Sequence, residues 1–291
     1  MRFTVRVPAT SANLGAGFDC LGLALDLCNE VTIDTDADPG VRWEGEGVRE
    51  LPTDGSDMVS RAMERVATSA RVELESVALH GVNRIPLERG LGSSSAAAVA
   101  GIVAAHVLLD PGASPDRDAI FAAASELEGH PDNAAAAVFG GLTIATGSRP
   151  PVRLDPHPDL RPVLLIPADE RLPTELARRA LTPQVPREDA VFNLQRSALA
   201  VVAFTQRPEL LSEALEDRLH QDARLALVPE VRVVFDRLRS AGVPVCVSGA
   251  GPTLLSFASA GDDAANPLQE LGNGWRRLEI SVRSKGVEIL R

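Results

Sequence analysis

The chain lacks tyrosine altogether and is almost without lysine. Of its 291 residues, 29 are lysine or arginine, and Lys285 is the single lysine among them. These absences exclude a tyrosine acid, a Schiff-base lysine in the body of the chain and a nucleotide-binding loop built around a lysine. The formal net charge of -11 argues against nucleic acid as the main partner, because phosphate backbones are held by basic patches.

Cysteine is also scarce. Cys20, Cys28 and Cys246 form no CxxC pair, so we expect reduced thiols in a cytoplasmic protein and neither a disulfide framework nor a zinc site. No uninterrupted apolar run reaches the roughly 18 residues of a membrane span. The alternating residues 1–7 do not resemble a signal peptide. We therefore expect no membrane partner.

The length and the apolar content predict two modest domains. Hydrophobic residues make up 45% of the chain, which is ample for a core. Strand and helix signals are mixed without strict alternation, which predicts an α+β fold. Prolines cluster between residues 150 and 162, and such a cluster is typical of a boundary. We predict one domain over residues 1–155 and a second over residues 156–291.

Hydrophobic periodicity, together with turn and cap signals, predicts the helices and strands. Strands are predicted at residues 3–7, 31–36, 163–166, 243–247 and 253–258, and residues 277–290 are predicted to be strand-like. Helices are predicted at residues 57–70, 93–109, 116–128, 174–181, 189–206, 208–219 and 230–241. The helix at 93–109 is apolar or small on every side, so we expect it to be buried and to be capped by its first serines.

Residues 86–98, here called the second segment, read Pro-Leu-Glu-Arg-Gly-Leu-Gly-Ser-Ser-Ser-Ala-Ala-Ala. Glycines allow close backbone approach, and the following helix presents unpaired N–H groups and the positive end of its dipole. With three serine hydroxyls, this makes a concavity for a triphosphate without a lysine. The alternative is a serine-rich helix start that binds nothing. The segment matches none of the patterns GxxxxGK[ST], GxGxxG and GxSxG.

Two further segments are rich in glycine. The first segment, residues 8–19, reads Pro-Ala-Thr-Ser-Ala-Asn-Leu-Gly-Ala-Gly-Phe-Asp and is predicted to be a loop after a strand. The third segment, residues 247–253, reads Val-Ser-Gly-Ala-Gly-Pro-Thr and lies between two predicted strands. Each alone is compatible with an ordinary turn, although glycines in the third segment would let it approach another loop or a phosphate.

Taken together and in this order, the three segments resemble the motifs of the GHMP family of small-molecule kinases. The second segment resembles the family's phosphate loop, of the form P-x-x-x-G-L-G-S-S-x-A, the first its substrate motif and the third its C-terminal glycine motif. Residues 8–22, 128–133 and 189–193 with Arg196 resemble the homoserine kinases within the family more than its galactokinases or mevalonate kinases. The resemblance spans nearly the whole chain.

The resemblance implies a fold and an activity. The implied fold has an N-terminal domain related to ribosomal protein S5 domain 2 and a ferredoxin-like C-terminal domain, with the site in the cleft between them. The implied activity is ATP- and Mg²⁺-dependent phosphorylation of the side-chain hydroxyl of L-homoserine, in threonine biosynthesis, by a protein that is commonly a homodimer. A kinase for another small alcohol and a non-catalytic binding module stay open as alternatives.

The resemblance also implies residues for the substrate. Those expected to hold it are Asn13, Asp19, His130, Thr174, Arg178 and Arg224. Asn13 and Asp19 would contact the amino and hydroxyl end, and the two arginines would grip the carboxylate, which planar guanidinium groups suit. A surface charge is the alternative for each arginine. Before Arg224, the family's usual Pro-Tyr is replaced by Asp222-Ala223.

For the nucleotide, the resemblance implies a phosphate site at the second segment. Its expected residues are Pro86, Gly90, Leu91, Gly92, Ser93, Ser94, Ser95 and Ala96. Mg²⁺ takes oxygen ligands, and we assign it to Ser94 and Glu128, with Glu126 as the alternative glutamate. The family's asparagine near the adenine corresponds to Asp57 in Asp57-Met58-Val59.

Phosphoryl transfer depends on positioning and on charge stabilisation, because its transition state is loose. The sequence offers no obvious general base. We expect Asn13 and Asn133 to align the substrate hydroxyl, which then loses its proton without a strong protein base. An aspartate base at Asp132 is the alternative.

Overall fold

The computed structural model describes residues 1–147, 149–258 and 271–291. Within these ranges the strands are β1 (Arg2–Ala12), β2 (Leu21–Asp34), β3 (Gly40–Gly45), β4 (Ala78–Asn83), β5 (Leu142–Ile144), β6 (Val152–Leu154), β7 (Pro162–Pro167), β8 (Val245–Val247), β9 (Leu254–Phe257), β10 (Trp275–Glu279) and β11 (Glu288–Leu290). The α-helices are α1 (Met58–Ala70), α2 (Ser93–Leu109), α3 (Arg117–Glu128), α4 (Asp132–Phe139), α5 (Thr174–Arg179), α6 (Arg187–Thr205), α7 (Leu211–Ala214), α8 (Gln221–Leu225) and α9 (Pro229–Ser240). The predicted α+β class is confirmed.

The larger sheet has the strand order β11-β1-β2-β4-β3, and β5 joins it by pairing with β2 and β6. β1 and β2 form its long antiparallel centre, and they contain the strands predicted at 3–7 and 31–36, although β2 ends two residues earlier than predicted. The loop predicted at residues 8–19 is wrong for residues 8–12 and is confirmed from residue 13 onward. β1 continues to Ala12 because a register shift between Pro8 and Ala9 lets the chain keep its pairing with β2.

α2 lies at the centre of the fold. It is apolar or small on every side and packs against α1, α3, α4 and β1, as expected of a buried helix. Its bounds match the prediction, but the predicted serine cap is wrong. The N-cap is Gly92, in the left-handed region (φ 69°) and without a side chain to cap the helix, while the hydroxyls of Ser94 and Ser95 donate to Glu128.

Two other helix starts follow the expected cap chemistry. The Asp57 carboxylate accepts the backbone N–H groups of Val59 (2.9 Å) and Ser60 (3.0 Å) at the start of α1. Asp116 caps α3 in the same way, and Gly129 ends α3 in the left-handed region. The helices predicted at 57–70 and 116–128 are confirmed, and each aspartate is the cap that precedes the first helical residue. No helix in the described ranges combines the length and the apolarity needed to cross a bilayer.

The smaller sheet has the order β10-β7-β9-β8 and is antiparallel throughout. Its strands β7, β8 and β9 confirm the predictions at 163–166, 243–247 and 253–258, and α5, α6 and α9 confirm three predicted helices with shifted ends. The boundary predicted after residue 155 falls between β6 of the larger sheet and β7 of the smaller one. The division into two domains stays a prediction, because one hydrophobic cluster contains side chains from both sides of the boundary.

The helix predicted at 208–219 is wrong. A 3-10 turn (Pro208–Leu210) leads into α7, which is only one turn long. The chain then bends because the Asp217 carboxylate accepts the backbone N–H groups of His220 and Gln221, both at 2.8 Å, and so begins α8.

Residues 277–290, predicted to be strand-like, are extended only in part. They contribute to two strands in different sheets, since β10 pairs with β7 and β11 pairs with β1. The chain end therefore returns to the sheet that contains the chain start.

Gly101 marks a close approach of α1 and α2. A Cβ at this position would lie 2.2 Å from the Val59 carbonyl oxygen and 2.8 Å from the Ala62 Cβ. We expect Gly101→Ala to lower the free energy of unfolding by about 1–3 kcal/mol, because an overpacked core must shift. Urea denaturation measures the change. Gly40→Ala is the control, since nothing lies within 4 Å of a Cβ there; an equal loss in both variants would contradict the packing argument.

Candidate active site

The three glycine-rich segments meet through short contacts. The Gly249 N–H of the third segment donates to the Ala12 carbonyl of the first (3.1 Å). The Ser248 hydroxyl contacts the Ser11 hydroxyl (2.9 Å) and donates to the Gly90 carbonyl of the second segment (2.7 Å). Segments that lie far apart in the sequence therefore form one structural unit.

A cleft of about 320 Å³ opens where the segments meet. The residues predicted for substrate, nucleotide, metal or catalysis that line it are Asn13, Pro86, Gly90, Leu91, Gly92, Ser93, Ser94, Ser95, Glu128, His130, Asp132, Asn133, Thr174, Arg178 and Arg224. Two predicted residues lie outside the lining. Ala96 is fully buried in the core beneath the start of α2, and the Asp19 carboxylate pairs with Arg178.

The second segment forms the floor of the cleft at the start of α2. Gly90 has φ +70°, and a Cβ there would lie 2.1 Å from the Ser248 carbonyl oxygen, so only glycine fits. Gly92, also with positive φ, comes directly before the first turn of the helix. The backbone N–H groups of that turn have no partner within the helix. This arrangement suits an anion, phosphate in particular.

Two neighbouring glutamates take different environments at the end of α3. Glu128 lines the cleft and accepts hydrogen bonds from the hydroxyls of Ser94 (2.7 Å) and Ser95 (2.6 Å). Glu126 pairs with Arg65 on the surface (2.5 Å) and does not line this cleft. Carboxylate and hydroxyl oxygens are ligands that Mg²⁺ prefers. The Glu128 carboxylate and the neighbouring Ser94 hydroxyl therefore fit the ion.

Asp132 is buried at the start of α4, with 2% of its surface exposed. Its Oδ1 accepts the backbone N–H of Asn133 (2.7 Å) and lies 3.2 Å from Nδ1 of His130. This hydrogen bond to Asp132 raises the pKa of His130 above its ordinary value. The amide oxygen of Asn133 accepts from the Thr10 hydroxyl (2.7 Å). These polar side chains are therefore held in place by one another.

Asn13 joins the first segment to the third while lining the cleft. Its Nδ2 donates to the Gly249 carbonyl (3.0 Å), and its Oδ1 accepts the backbone N–H of Asp19 (3.0 Å). Its backbone has φ +70°, a conformation that asparagine tolerates better than most residues. Both polar ends of the side chain thus serve to fix the loop.

Two arginines lie on one side of the cleft. Arg178 pairs with both oxygens of Asp19 (2.6 and 3.1 Å), and this pairing raises its pKa. Arg224 is 98% buried and donates from Nη1 to the Gly249 carbonyl (2.7 Å). Burial, and then the charge of Arg178, lower the pKa of Arg224 to about 10. Both guanidinium groups lie near the Phe18 ring, at 5.9 and 5.3 Å from its centroid.

The replacement of Pro-Tyr by Asp222-Ala223 does not remove Arg224 from the cleft. Asp222 lies on the surface, where it pairs with Arg232 (2.9 Å). Behind α8, Asn193 of the matched stretch 189–193 is buried and donates to Asp217 (2.7 Å). This stretch therefore supports the turn that carries Arg224 and does not itself line the cleft.

Asp57 is not available to a nucleotide base. It is buried, its oxygens cap α1, and it does not line the cleft. The structure thus gives Asp57 a structural role in place of the adenine contact.

Six residues that line the cleft are not among those predicted from the sequence. They are Glu88, Arg89, Pro173, Glu175, Gly249 and Ala250. Arg89 is the most informative of them. It is 93% buried, its Nη2 donates to the Ala168 carbonyl (2.8 Å), and its Nη1 has no partner among the described residues. The only sign of Arg89 in the sequence was its position inside the second segment. Its burial, which calls for an anionic or hydrogen-bonding partner, is visible only in the structure.

Comparisons with known proteins identify the family. The GHMP kinases N terminal domain family matches residues 57–141, and the GHMP kinases C terminal family matches residues 197–275. A homoserine kinase of Clavibacter michiganensis subsp. michiganensis is 46% identical over 98% of this chain and 93% of that protein. One of Rhodococcus erythropolis is 43% identical over 98% of this chain and 95% of that protein.

A solved structure shares the fold over almost the full length. The crystal structure of homoserine kinase from Cytophaga hutchinsonii superimposes with a TM-score of 0.84 at 25% identity, over 99% of this chain and 97% of that one. The matched segments, the cleft at which they meet and these similarities lead to one conclusion. The chain belongs to the homoserine kinases of the GHMP kinase family.

Proposed function

We propose that the protein transfers the γ-phosphoryl group of ATP to the side-chain hydroxyl of L-homoserine, giving O-phospho-L-homoserine for threonine biosynthesis. One observation carries the proposal. A glycine-rich helix start that suits phosphates and a buried arginine that suits a carboxylate lie in the same cleft of about 320 Å³. A kinase for an uncharged sugar has no need of that arginine.

Arg224 and Arg178 supply the positive charge for the substrate carboxylate. Arg224 is buried among residues that fix its Nη1, so it loses little freedom on binding. Arg178 is held in place by its pairing with both oxygens of the Asp19 carboxylate. Thr174 and His130 complete the lining around the amino acid.

The second segment binds the nucleotide phosphates through the backbone of Gly90 to Ser95 and the dipole of α2. Ser94 and Glu128 would hold Mg²⁺, which when bound neutralises charge on the phosphate oxygens. Arg89 adds a buried positive charge beside this loop. Together these groups replace the lysine of other phosphate loops.

The chain's own residues act by alignment. The side-chain amide of Asn13 is fixed by the Gly249 carbonyl, and that of Asn133 by the Thr10 hydroxyl. Both amides are therefore held in one orientation in which they can align a substrate hydroxyl. The Oδ1 of Asp132 already accepts one backbone N–H and lies beside His130, and the side chain is buried. These contacts favour a structural role for Asp132, and the hydroxyl proton leaves without a strong protein base.

We also propose that the protein works in the cytoplasm as a homodimer with a small-molecule substrate. The three cysteines are free thiols, which suits a reducing compartment. The dimer is inferred from the family alone.

A coupled ADP-release assay tests the substrate. With homoserine we expect turnover, and with mevalonate or galactose we expect none above the background ATP hydrolysis. The reason is that both lack an amino-acid carboxylate at the distance that the arginines require. Turnover of either alcohol without turnover of homoserine would overturn the proposal.

Glu128→Gln tests the metal site. A neutral amide is a poorer ligand for Mg²⁺ than a carboxylate, so we expect the Mg²⁺ concentration for half-maximal activity to rise by about tenfold or more. Glu126→Gln is the matched control, because Glu126 pairs with Arg65 on the surface, and it should leave the Mg²⁺ requirement unchanged. A shift in the control variant alone would assign the metal to Glu126.

Asp132→Asn tests the absence of a base. A general base contributes about 10²–10⁴ in rate, so we expect the variant to lose much less than this in kcat. Asn13→Ala should lose more than Asp132→Asn, because it removes the tie to Gly249. A collapse of kcat in Asp132→Asn, with unchanged KM for homoserine, would instead identify an aspartate base.

A further inference from the structure

His220 is a fully buried histidine between the first segment and Arg224. Its Nε2 lies 2.8 Å from the Gly15 carbonyl oxygen, and its Nδ1 lies 3.1 Å from Nη1 of Arg224. A carbonyl oxygen can only accept a hydrogen bond, and a guanidinium group can only donate one. The two partners therefore require a neutral ring with its proton on Nε2 and a free lone pair on Nδ1.

The surroundings of His220 keep it neutral. Burial, opposed by the carboxylate of Asp217 and reinforced by the charge of Arg224, lowers the pKa of His220 to about 4. The hydrogen bond to Gly15 and the charge of Asp19 also oppose this lowering. A protonated ring would place a second cation against Arg224 and would lose the acceptor that the guanidinium uses.

The hydrogen bond from Arg224 to His220 uses the second N–H donor of Nη1. Nη1 of a guanidinium carries two N–H donors, and here they reach the Gly249 carbonyl (2.7 Å) and Nδ1 of His220 (3.1 Å). Two acceptors in different directions fix the plane of the guanidinium, whereas one would allow it to rotate. The donors on Nη2 are then oriented in advance toward a ligand.

The same histidine supports the aromatic side of the site. Its ring stacks on Phe18, with the centroids 5.2 Å apart and the planes at 26°. Phe18 in turn lies beside the guanidinium groups of Arg224 and Arg178. His220 therefore contacts the arginine, the ring beside it and the backbone of the first segment.

We propose that His220 is a positioning residue that sets the selectivity of the site for a substrate bearing a carboxylate, by holding Arg224 through the lone pair of its Nδ1. This inference rests on the proposed function, because it assigns Arg224 to the carboxylate of an amino-acid substrate. His220 touches neither the nucleotide loop nor Glu128. Its loss should weaken binding of the amino acid and leave ATP binding intact.

Two substitutions separate the two hydrogen bonds of the ring. His220→Asn places an amide oxygen near the position of Nδ1, so it keeps an acceptor for Arg224 and gives up the bond to Gly15. His220→Gln places its amide nitrogen near the position of Nε2, so it keeps the donor to Gly15 and loses the acceptor. Both remove the aromatic ring, so each is the control for the packing loss of the other.

Steady-state kinetics of the full chain with ATP, Mg²⁺ and homoserine gives the readout. For His220→Gln we expect the KM for homoserine to rise by about tenfold or more, as for loss of a charge-assisted hydrogen bond. For His220→Asn we expect a rise of at most about threefold. The KM for ATP should stay unchanged in both variants. In an Arg224→Lys background, His220→Gln should add little further increase, because coupled residues are not additive.

Three results would overturn the positioning role. They are equal increases of the homoserine KM in both variants, a parallel rise of the KM for ATP, and an undiminished effect of His220→Gln in the Arg224→Lys background. Wild-type protein that does not phosphorylate homoserine would instead contradict the proposed function. If a variant fails to fold, nitrogen NMR of the wild-type histidine rings decides: the neutral Nε2–H form at pH 7 is required, and an imidazolium or the Nδ1–H form would overturn the inference.

Discussion

The carbonyl oxygen of Gly249 is the acceptor on which the site depends. It receives hydrogen bonds from Nδ2 of Asn13 (3.0 Å) and from Nη1 of Arg224 (2.7 Å). One backbone atom of the third segment thus fixes a residue of the first segment and the buried arginine. The contact is possible because Gly90 has no Cβ, which would otherwise meet Ser248 at 2.1 Å. Without this close packing, neither Arg224 nor Asn13 would be held in place at the cleft.

Local charge, not net charge, decides what the cleft can bind. The chain carries a formal charge of -11, yet Arg89 and Arg224 are buried beside the cleft, where low dielectric strengthens their fields. Arginine suits these places better than lysine because its charge persists when it is buried. The near absence of lysine therefore costs the protein nothing in anion binding, provided that arginine and the backbone N–H groups are placed at the cleft.

Local signals in the sequence predicted local structure, and long-range contacts account for the failures. α1 and α3 could be predicted because an aspartate cap precedes each periodic run. The bend after α7 could not, because it depends on Asp217 meeting two backbone N–H groups and on Gly15 packing against the Leu215 backbone. In the site, the family resemblance located Arg178 and Asp19, but their pairing across 159 residues is visible only in the fold.

The starts of α1 and α2 differ in what they offer to an anion. At α1 the Asp57 carboxylate accepts the N–H groups of Val59 and Ser60, so an anion arriving there would meet like charge and two donors already in use. At α2 the N-cap is Gly92, and the serine hydroxyls that could have capped the turn donate to Glu128. The first turn of α2 keeps its donors free, and the carboxylate lies at the side of the loop, where it can share a cation with the phosphates.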